Sequence, residues 1–230
     1  MGEHVLPGNP PVPLLLRRSS RARRISLRVS RLDGRVTLTL PHGVPEAEAL
    51  AFAREKAAWL RDALAQRPEN VAVGFGTELP LEGRPVTVIP GPGRAVRLNG
   101  DHLEVPGAPA QAARRAQAFL KDRARARLSA ASDRYAAALG RPYTRLTLRD
   151  TRSRWGSCSS DGRLMFSWRL ILAPPDVLDY VAAHEVAHLA HMDHSRAFWE
   201  TTRRLFGPWE AQRRWLRTHG GDLHRYRFGD

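Results

Sequence analysis

The chain has 230 residues, and 42% of them are hydrophobic, which is enough for one or two globular domains with their own cores. Its 37 basic residues outnumber its 23 acidic ones for a formal net charge of +14, a balance that favours anionic partners. The longest apolar stretch near the N-terminus, Leu14 to Leu16, is too short for a signal peptide or a membrane span. Because Cys158 is the only cysteine, no intrachain disulfide can form. We therefore expect a cytoplasmic protein without membrane contact.

The N-terminal part begins with a proline-rich stretch, residues 1 to 16, that we expect to be disordered. Two segments follow in which apolar and polar residues alternate, Ile25 to Val29 and Arg35 to Leu40. They flank Asp33 and Gly34, which are residues typical of a tight turn. This pattern predicts a β-hairpin.

An amphipathic helix is predicted next, from Glu46 to Arg67, because its apolar residues recur on one face. Short apolar segments broken by Gly and Pro then predict four strands. They are Leu79 to Leu81, Arg84 to Ile89, Ala95 to Leu98 and His102 to Val105. Residues 17 to 106 are therefore expected to form a small N-terminal region with one sheet and one helix.

A linker at Pro106 to Pro109 precedes a long predicted helix, Ala110 to Leu139. Thr144 to Thr151 and Leu164 to Leu172 are then rich in alternating apolar residues, with turn residues at Ser159 to Gly162, and predict a second hairpin. Two helices are predicted closer to the C-terminus. They are Arg196 to Phe206 and Trp209 to Thr218.

A His-Glu-x-x-His motif, formed by His184, Glu185 and His188, lies on a predicted amphipathic helix that begins near Asp176. Helical positions four apart lie one above the other, so both imidazoles can bind one metal ion while the carboxylate stays available to accept a proton. A catalytic zinc ion takes three protein ligands and keeps a position for water, whose pKa it lowers. The motif therefore predicts a zinc hydrolase with Glu185 as the general base.

The third ligand must come from outside this pair, and His191 and His194 are the two candidates. On a continuous helix His191 would lie about 10 Å along the axis from His184, too far for ligands of one ion. Asp193 and Ser195 are both favourable N-cap residues, so a bend is predicted at His194. We expect His194 to be the ligand and His191 to lie around the site or at the surface.

Several segments around the motif carry a resemblance to a known family. They are Arg154 to Cys158, Ser167 to Pro175, His184 to Leu189, and the set His194, Ser195, Phe198 and Trp199. In these segments the chain resembles the YgjP-like metallopeptidases, relatives of the SprT-like and WLM zinc proteases. The resemblance covers nearly all of residues 17 to 221. It implies an α+β fold in which residues 107 to 230 form a compact zincin-like catalytic domain.

The resemblance also implies a zinc ion (Zn2+) held by His184, His188 and His194, with Glu185 as the base. Asp193 stands where the family pattern has asparagine. This difference leaves the ligands intact but adds a charge near the metal.

Three residues are candidates for substrate binding. An edge strand beside the zinc can pair with an extended substrate, and we expect Phe166 to Arg169 to be that strand, with Phe166 and Trp168 in contact with the substrate. An ordinary core strand is the alternative, since these residues alternate as in a half-buried strand. Arg154 is expected to stabilise a developing oxyanion or a phosphate, or else to stack against Trp155 as a structural pair.

Peptides or proteins are the expected substrates. One alternative is metal-dependent hydrolysis of a nucleoside triphosphate (a pyrophosphohydrolase), and another is a DNA-associated protease or nucleic-acid-binding module. Two arginine clusters would supply the contacts to phosphate, although a charge run is more often a solvated face. They are Arg17, Arg18, Arg21, Arg23 and Arg24, and Arg114, Arg115, Arg123, Arg125 and Arg127.

Overall fold

The computed structural model describes residues 2–30, 34–66 and 69–229, and the chain divides into two compact units, Met1–Glu69 and Asn70–Asp230. Both units contain helices and strands, so the predicted mixed α+β class is confirmed. The division falls between Glu69 and Asn70 rather than near residue 106. The strands that end at Val105 share one core with the long helix that follows them, which places them in the second unit.

The first unit is a four-stranded sheet with two helices. Its strands are β1 (Gly2–Leu6), β2 (Val12–Arg18), β3 (Ser26–Val29) and β4 (Val36–Leu40), in the spatial order β1-β2-β4-β3, and its helices are α1 (Glu46–Glu55) and α2 (Ala57–Ala65). The predicted hairpin is the antiparallel pair β3–β4. The predicted single helix is divided at Lys56. Asp33 of the predicted turn and Arg67 at the predicted helix end lie outside the described residues.

Strands β1 and β2 occupy the stretch whose proline content predicts disorder. Alternate residues of β2 are buried: Val12, Leu14 and Leu16 are at most 5% exposed. They belong to one core cluster with Leu38 and Leu40 of β4. Burying such side chains contributes about 1.5–3 kcal/mol each, which outweighs the loss of backbone donors at the prolines.

The second unit begins with short strands and the long helix. Its first strands are β5 (Val71–Ala72), β6 (Glu78–Leu81), β7 (Arg84–Pro90), β8 (Arg97–Asn99) and β9 (His102–Val105), followed by α3 (Pro109–Leu139). Strands β6 to β9 form one sheet in the order β6-β7-β9-β8 and match the four predicted segments. Helix α3 has a proline in its first turn and ends at Gly140, whose φ of 73° is the left-handed conformation that glycine adopts readily.

A three-stranded sheet precedes the metal-motif helix, but its pairing differs from the predicted hairpin. Its strands are β10 (Arg145–Arg149), β11 (Gly156–Cys158) and β12 (Arg163–Ser167), in the order β10-β12-β11. The hairpin is β11–β12, while β10 runs parallel to β12. The segment from Trp168 to Leu172, predicted as strand, is a 3-10 helix. Strand β12 is therefore central, and β11 is an edge.

The remaining elements of the second unit are mostly helical. They are α4 (Pro175–Ala187), α5 (Arg196–Phe206), α6 (Glu210–His219), a 3-10 helix (Gly220–His224) and β13 (Tyr226–Arg227), which pairs with β5. The three α-helices agree with the predicted ones within a few residues. Among the helices of the described ranges, we find none with the length and apolar character needed to cross a membrane.

Candidate metal centre and active site

Helix α4 presents the motif from a buried position. Pro175 lies in its first turn, where its missing N–H costs no hydrogen bond, and the helix ends at Ala187 just before His188. The guanidinium of Arg141 donates to the Leu189 carbonyl at 2.8 Å and satisfies a backbone acceptor beyond the helix end. His184 therefore lies in the last turn of α4 and His188 directly after it, at a helix end that is held in place.

The chain turns sharply after α4 and brings His194 back towards the helix. The Ser195 hydroxyl accepts from the Phe198 N–H at 3.4 Å as the N-cap of α5. The Asp193 carboxylate accepts from the Ser195 N–H at 3.2 Å. The bend predicted from these two residues is thus present. It places the His194 Nε2 atom 3.2 Å from the Nε2 atom of His184.

Three imidazoles, those of His184, His188 and His194, have ligand atoms within 4.8 Å of one another and could hold a metal ion. Two nitrogens bound to one tetrahedral zinc at about 2.05 Å lie about 3.3 Å apart, close to the separation of the His184 and His194 Nε2 atoms. The Nδ1 atom of His188 lies 2.9 Å from the His191 carbonyl, which leaves its Nε2 atom available as a ligand. The residues present therefore fit a zinc ion.

His191 contributes its backbone carbonyl, and its imidazole is not part of this group. Fixing the ring of a ligand through its second nitrogen is the usual function of such a contact. The expectation that His191 lies around the site agrees with this position.

Aromatic side chains surround the three imidazoles. Phe198 of α5 is fully buried, and its ring centroid lies 4.9, 4.4 and 4.8 Å from those of His184, His188 and His194. Trp199 approaches His184 and His194 at 5.7 and 5.6 Å. Burial, together with the neighbouring His188 and His194, lowers the pKa of His184 to about 3 and keeps this ring neutral.

The Glu185 side chain points into the protein, where it lies against Gly156 of strand β11. Its side chain is 6% exposed, and burial raises its pKa to about 8, while the positive charge of Arg154 opposes this shift. A Cβ atom at Gly156 would lie 2.6 Å from both Cγ and Oε1 of Glu185. A side chain at position 156 would clash with this carboxylate, so Gly156 permits the close approach of strand β11 to Glu185.

A cavity of about 350 Å³ lies beside His184 and Glu185. We call it the arginine cavity after the residues that line it. Its walls include Arg154, Arg213, Arg217, Trp155 and Leu216. No motif in the sequence marks the residues from α6, although Arg213, Leu216 and Arg217 follow the three- and four-residue spacing of one helix face.

Two of the residues predicted to contact substrate lie elsewhere. Phe166 and Trp168 are 0% and 1% exposed and belong to the core, as in the alternative interpretation of that segment. The edge strand near the motif is β11, and not the stretch from Phe166 to Arg169. Arg154, which precedes β11, is exposed and lines the cavity. The ring of Trp155 packs against His224, with a centroid distance of 5.3 Å.

The two arginine clusters lie in different units. The first, Arg17 to Arg24, belongs to the first unit, and the second, Arg114 to Arg127, lies on α3. In the second cluster Arg123 and Arg127 form ion pairs with Glu82 at 2.8 and 3.0 Å. These two arginines share one carboxylate within the fold. Binding of nucleic acid by the arginine clusters stays a prediction.

A buried carboxylate beside three imidazoles that could hold a metal ion is the arrangement of a metal-dependent hydrolase. The chain belongs to the YgjP-like metallopeptidases: residues 23–219 match the family described as YgjP-like, metallopeptidase domain.

Other comparisons show less similarity. A solved structure, the metallopeptidase zymogen of Pyrococcus abyssi abylysin, is 18% identical over 40% of this chain and 92% of that chain, with a TM-score of 0.36. No curated protein matches the chain. The family match and the geometry of the site therefore carry the functional argument.

Proposed function

We propose that this protein is a zinc-dependent peptidase with a zincin-like catalytic centre formed by His184, His188, His194 and Glu185. The observation that carries the proposal is the convergence of three imidazole ligand atoms within 4.8 Å, on and after the helix that holds Glu185. A set of three histidines with a position left for water is typical of catalytic zinc. Membership of a metallopeptidase family supports a peptide bond as the target.

When bound, the zinc would supply a Lewis acid that acidifies water and polarises a substrate carbonyl. In its ionised form, which the positive charges of Arg154 and of a bound metal would favour against the effect of burial, Glu185 accepts the proton of the attacking water and delivers it to the departing amine. Its carboxylate is held against the backbone of Gly156, so it is already in position before the substrate binds. Arg154, at the cavity wall, donates to the oxygen on which negative charge develops.

Strand β11 offers a means of holding the substrate. It is the edge of its sheet, it begins at Gly156 beside Glu185, and it is paired with β12 on one side. An extended peptide that adds to such an edge forms main-chain hydrogen bonds along it. We propose that the substrate pairs with β11 and thereby carries its scissile bond past Glu185 and His184.

The proposal is tested by removing and restoring the metal. Treatment with a chelator should abolish cleavage of casein, and addition of zinc should restore it, with the metal content measured in the same samples. Cleavage that persists in metal-free protein would refute the proposal. So would protein that holds one zinc per chain and cleaves neither casein nor short peptides.

A further inference from the structure

The arginine cavity is lined by three arginines. Arg154 is the proposed oxyanion donor, and the other two have no role in the proposed catalytic centre. Arg213 and Arg217 come from α6, and Arg154 comes from the segment before β11. Neighbouring arginines on α5 have acidic partners, since Arg196 pairs with Glu200 and Arg203 pairs with Glu210. Within residues 2–30, 34–66 and 69–229, none of the three cavity arginines forms an ion pair within 4.0 Å.

The cavity combines this charge with apolar walls. The indole of Trp155 lies against Gly220, where an added Cβ atom would come within 2.9 Å of the ring, so its position is fixed from behind. Val181 and Leu216 complete the apolar part. A ligand that suits these walls has a short apolar stem and an anionic end.

Arg213 is held in place before any ligand binds. Its guanidinium lies over the rings of Trp199 and Trp209, at 5.3 and 5.6 Å from their centroids, and these two rings stack at 4.2 Å. A guanidinium restrained by stacking loses less conformational freedom when it binds a carboxylate. Its planar fork also matches the two oxygens of that group.

We propose that the arginine cavity is a substrate subsite that binds a carboxylate, either of a glutamate or aspartate side chain next to the scissile bond or of the peptide's C-terminus. The inference rests on the proposed peptidase function and specifies its substrate class. A cavity of about 350 Å³ beside Glu185 accommodates one such side chain while the backbone passes the catalytic residues. Replacing the carboxylate by an amide should weaken binding about tenfold, the low end for charge-assisted hydrogen bonds, because the three arginines are solvent-exposed.

The experiment uses three series of decapeptides with the full-length, zinc-loaded protein. In the first, a single Glu is moved through a sequence blocked at both ends, and in the second Gln replaces it. The third has no acidic side chain but a free C-terminal carboxylate. Cleavage rates are measured with the native protein, and binding of the same peptides to the Glu185→Gln protein is measured by calorimetry.

At one position relative to the cut, Glu peptides should be cleaved and bound about tenfold better than their Gln partners. Arg217→Gln should reduce this preference, and Arg217→Glu should reduce it further, because Arg154 and Arg213 remain in the cavity. Arg214→Gln is the matched control, because it removes the same charge from the same helix but does not line the cavity. It should keep the preference. A preference confined to the third series assigns the carboxylate to the C-terminus and supports the subsite as well.

Equal cleavage and binding of the Glu, Gln and free-carboxylate series overturns the subsite but leaves the peptidase function intact. An equal effect of Arg214→Gln and Arg217→Gln also overturns the subsite, since the preference would then come from the overall positive potential of the protein and not from contacts in the cavity. Selective binding of Glu peptides without cleavage of any series refutes the peptidase function and supports the subsite. Absence of both cleavage and selective binding overturns both.

Discussion

Glu185 and Gly156 define the site at the scale of single residues. The carboxylate is buried against a strand whose backbone can approach it only because position 156 has no side chain. An exposed glutamate on the same helix would be surrounded by water and would not be held at one place. The packing of strand β11 against α4 therefore fixes the position of the Glu185 carboxylate.

We predict that Gly156→Ala lowers turnover, because the added methyl group would lie 2.6 Å from the Glu185 carboxylate and displace it. Metal content and fold should be retained, since the three imidazoles lie elsewhere. Gly74→Ala is the control, as a Cβ there meets no atom within 4 Å. Equal activities of the two variants in a peptide-cleavage assay would show that the Glu185 position does not depend on Gly156.

Replacing the proposed base is a second test at this scale. Glu185→Gln should keep zinc and fold but lose at least about 100-fold in the rate of peptide cleavage, the low end for general acid–base catalysis. Metal analysis, circular dichroism and a rate measurement on one preparation check this. A variant that cleaves at nearly the native rate would remove Glu185 from the mechanism.

Individual residues differ in how far the sequence reveals them. Spacing alone predicts His184 and His188 as metal ligands and Glu185 as the base, because four residues make about one helical turn. The role of Gly156 cannot be predicted in this way, since its contact with Glu185 depends on how strand β11 packs against α4. Arg213 and Arg217 belong to the same category, because only the tertiary fold brings α6 to the motif helix.

At the scale of elements, the bend between α4 and α5 positions His194, the third proposed ligand. Because α4 ends at Ala187 and α5 begins at Arg196, the intervening residues return His194 to the side of His184. His191, in the same turn, presents its carbonyl to His188 instead.

We predict that His194→Ala loses the zinc and that His191→Ala keeps it. The His194 imidazole lies close enough to those of His184 and His188 to bind the same metal ion. His191 contacts His188 only through its backbone carbonyl, which alanine retains. His184→Ala and His188→Ala should also lose the metal. Metal analysis of the four purified variants gives the answer, and zinc retained by His194→Ala would identify another third ligand.

The three-stranded sheet shows where pattern-based prediction fails for elements. Alternation in Leu164 to Leu172 correctly indicates a buried segment but cannot distinguish a central strand from an edge strand. The parallel pairing of β10 with β12 makes β12 central, and this pairing joins segments that the β11 hairpin separates in sequence. The α-helices of the second unit, with longer periodic patterns and proline or glycine at their ends, are predicted within a few residues.

Within the second unit, the buried guanidinium of Arg169 connects the C-terminal segment to the rest of the unit. The Arg169 guanidinium binds both carboxylate oxygens of Asp150, at 2.7 and 3.0 Å, and donates to the carbonyls of Leu223 and Tyr226. His224, in the same segment, packs against Trp155 of the cavity wall. The segment thus supports the cavity from behind.

The buried His224 makes stability depend on pH. Burial, and next the charge of Arg169, lowers its pKa from 6.5 to about 4. The unfolded chain therefore takes up a proton below about pH 6.5 that the folded protein binds only near pH 4, so this residue makes stability fall as pH decreases through that range.

We predict that His224→Gln reduces this fall in unfolding free energy between pH 7 and pH 5. Urea unfolding at both pH values checks it, with His219→Gln, at an exposed position on α6, as the matched control. If the native protein and His224→Gln lose the same unfolding free energy over that range, burial of His224 does not cause the pH dependence.

The substrate class is the central claim for the molecule as a whole, and the cavity arginines make phosphate the competing ligand. The most direct measurement compares, in one zinc-loaded preparation, the rate of cleavage of casein and short peptides with the rate of phosphate release from nucleoside triphosphates. We predict peptide cleavage that clearly exceeds phosphate release and that is lost in Glu185→Gln. Nucleotide hydrolysis exceeding peptide cleavage, and lost in the same variant, would contradict the peptidase function while leaving the metal site in place.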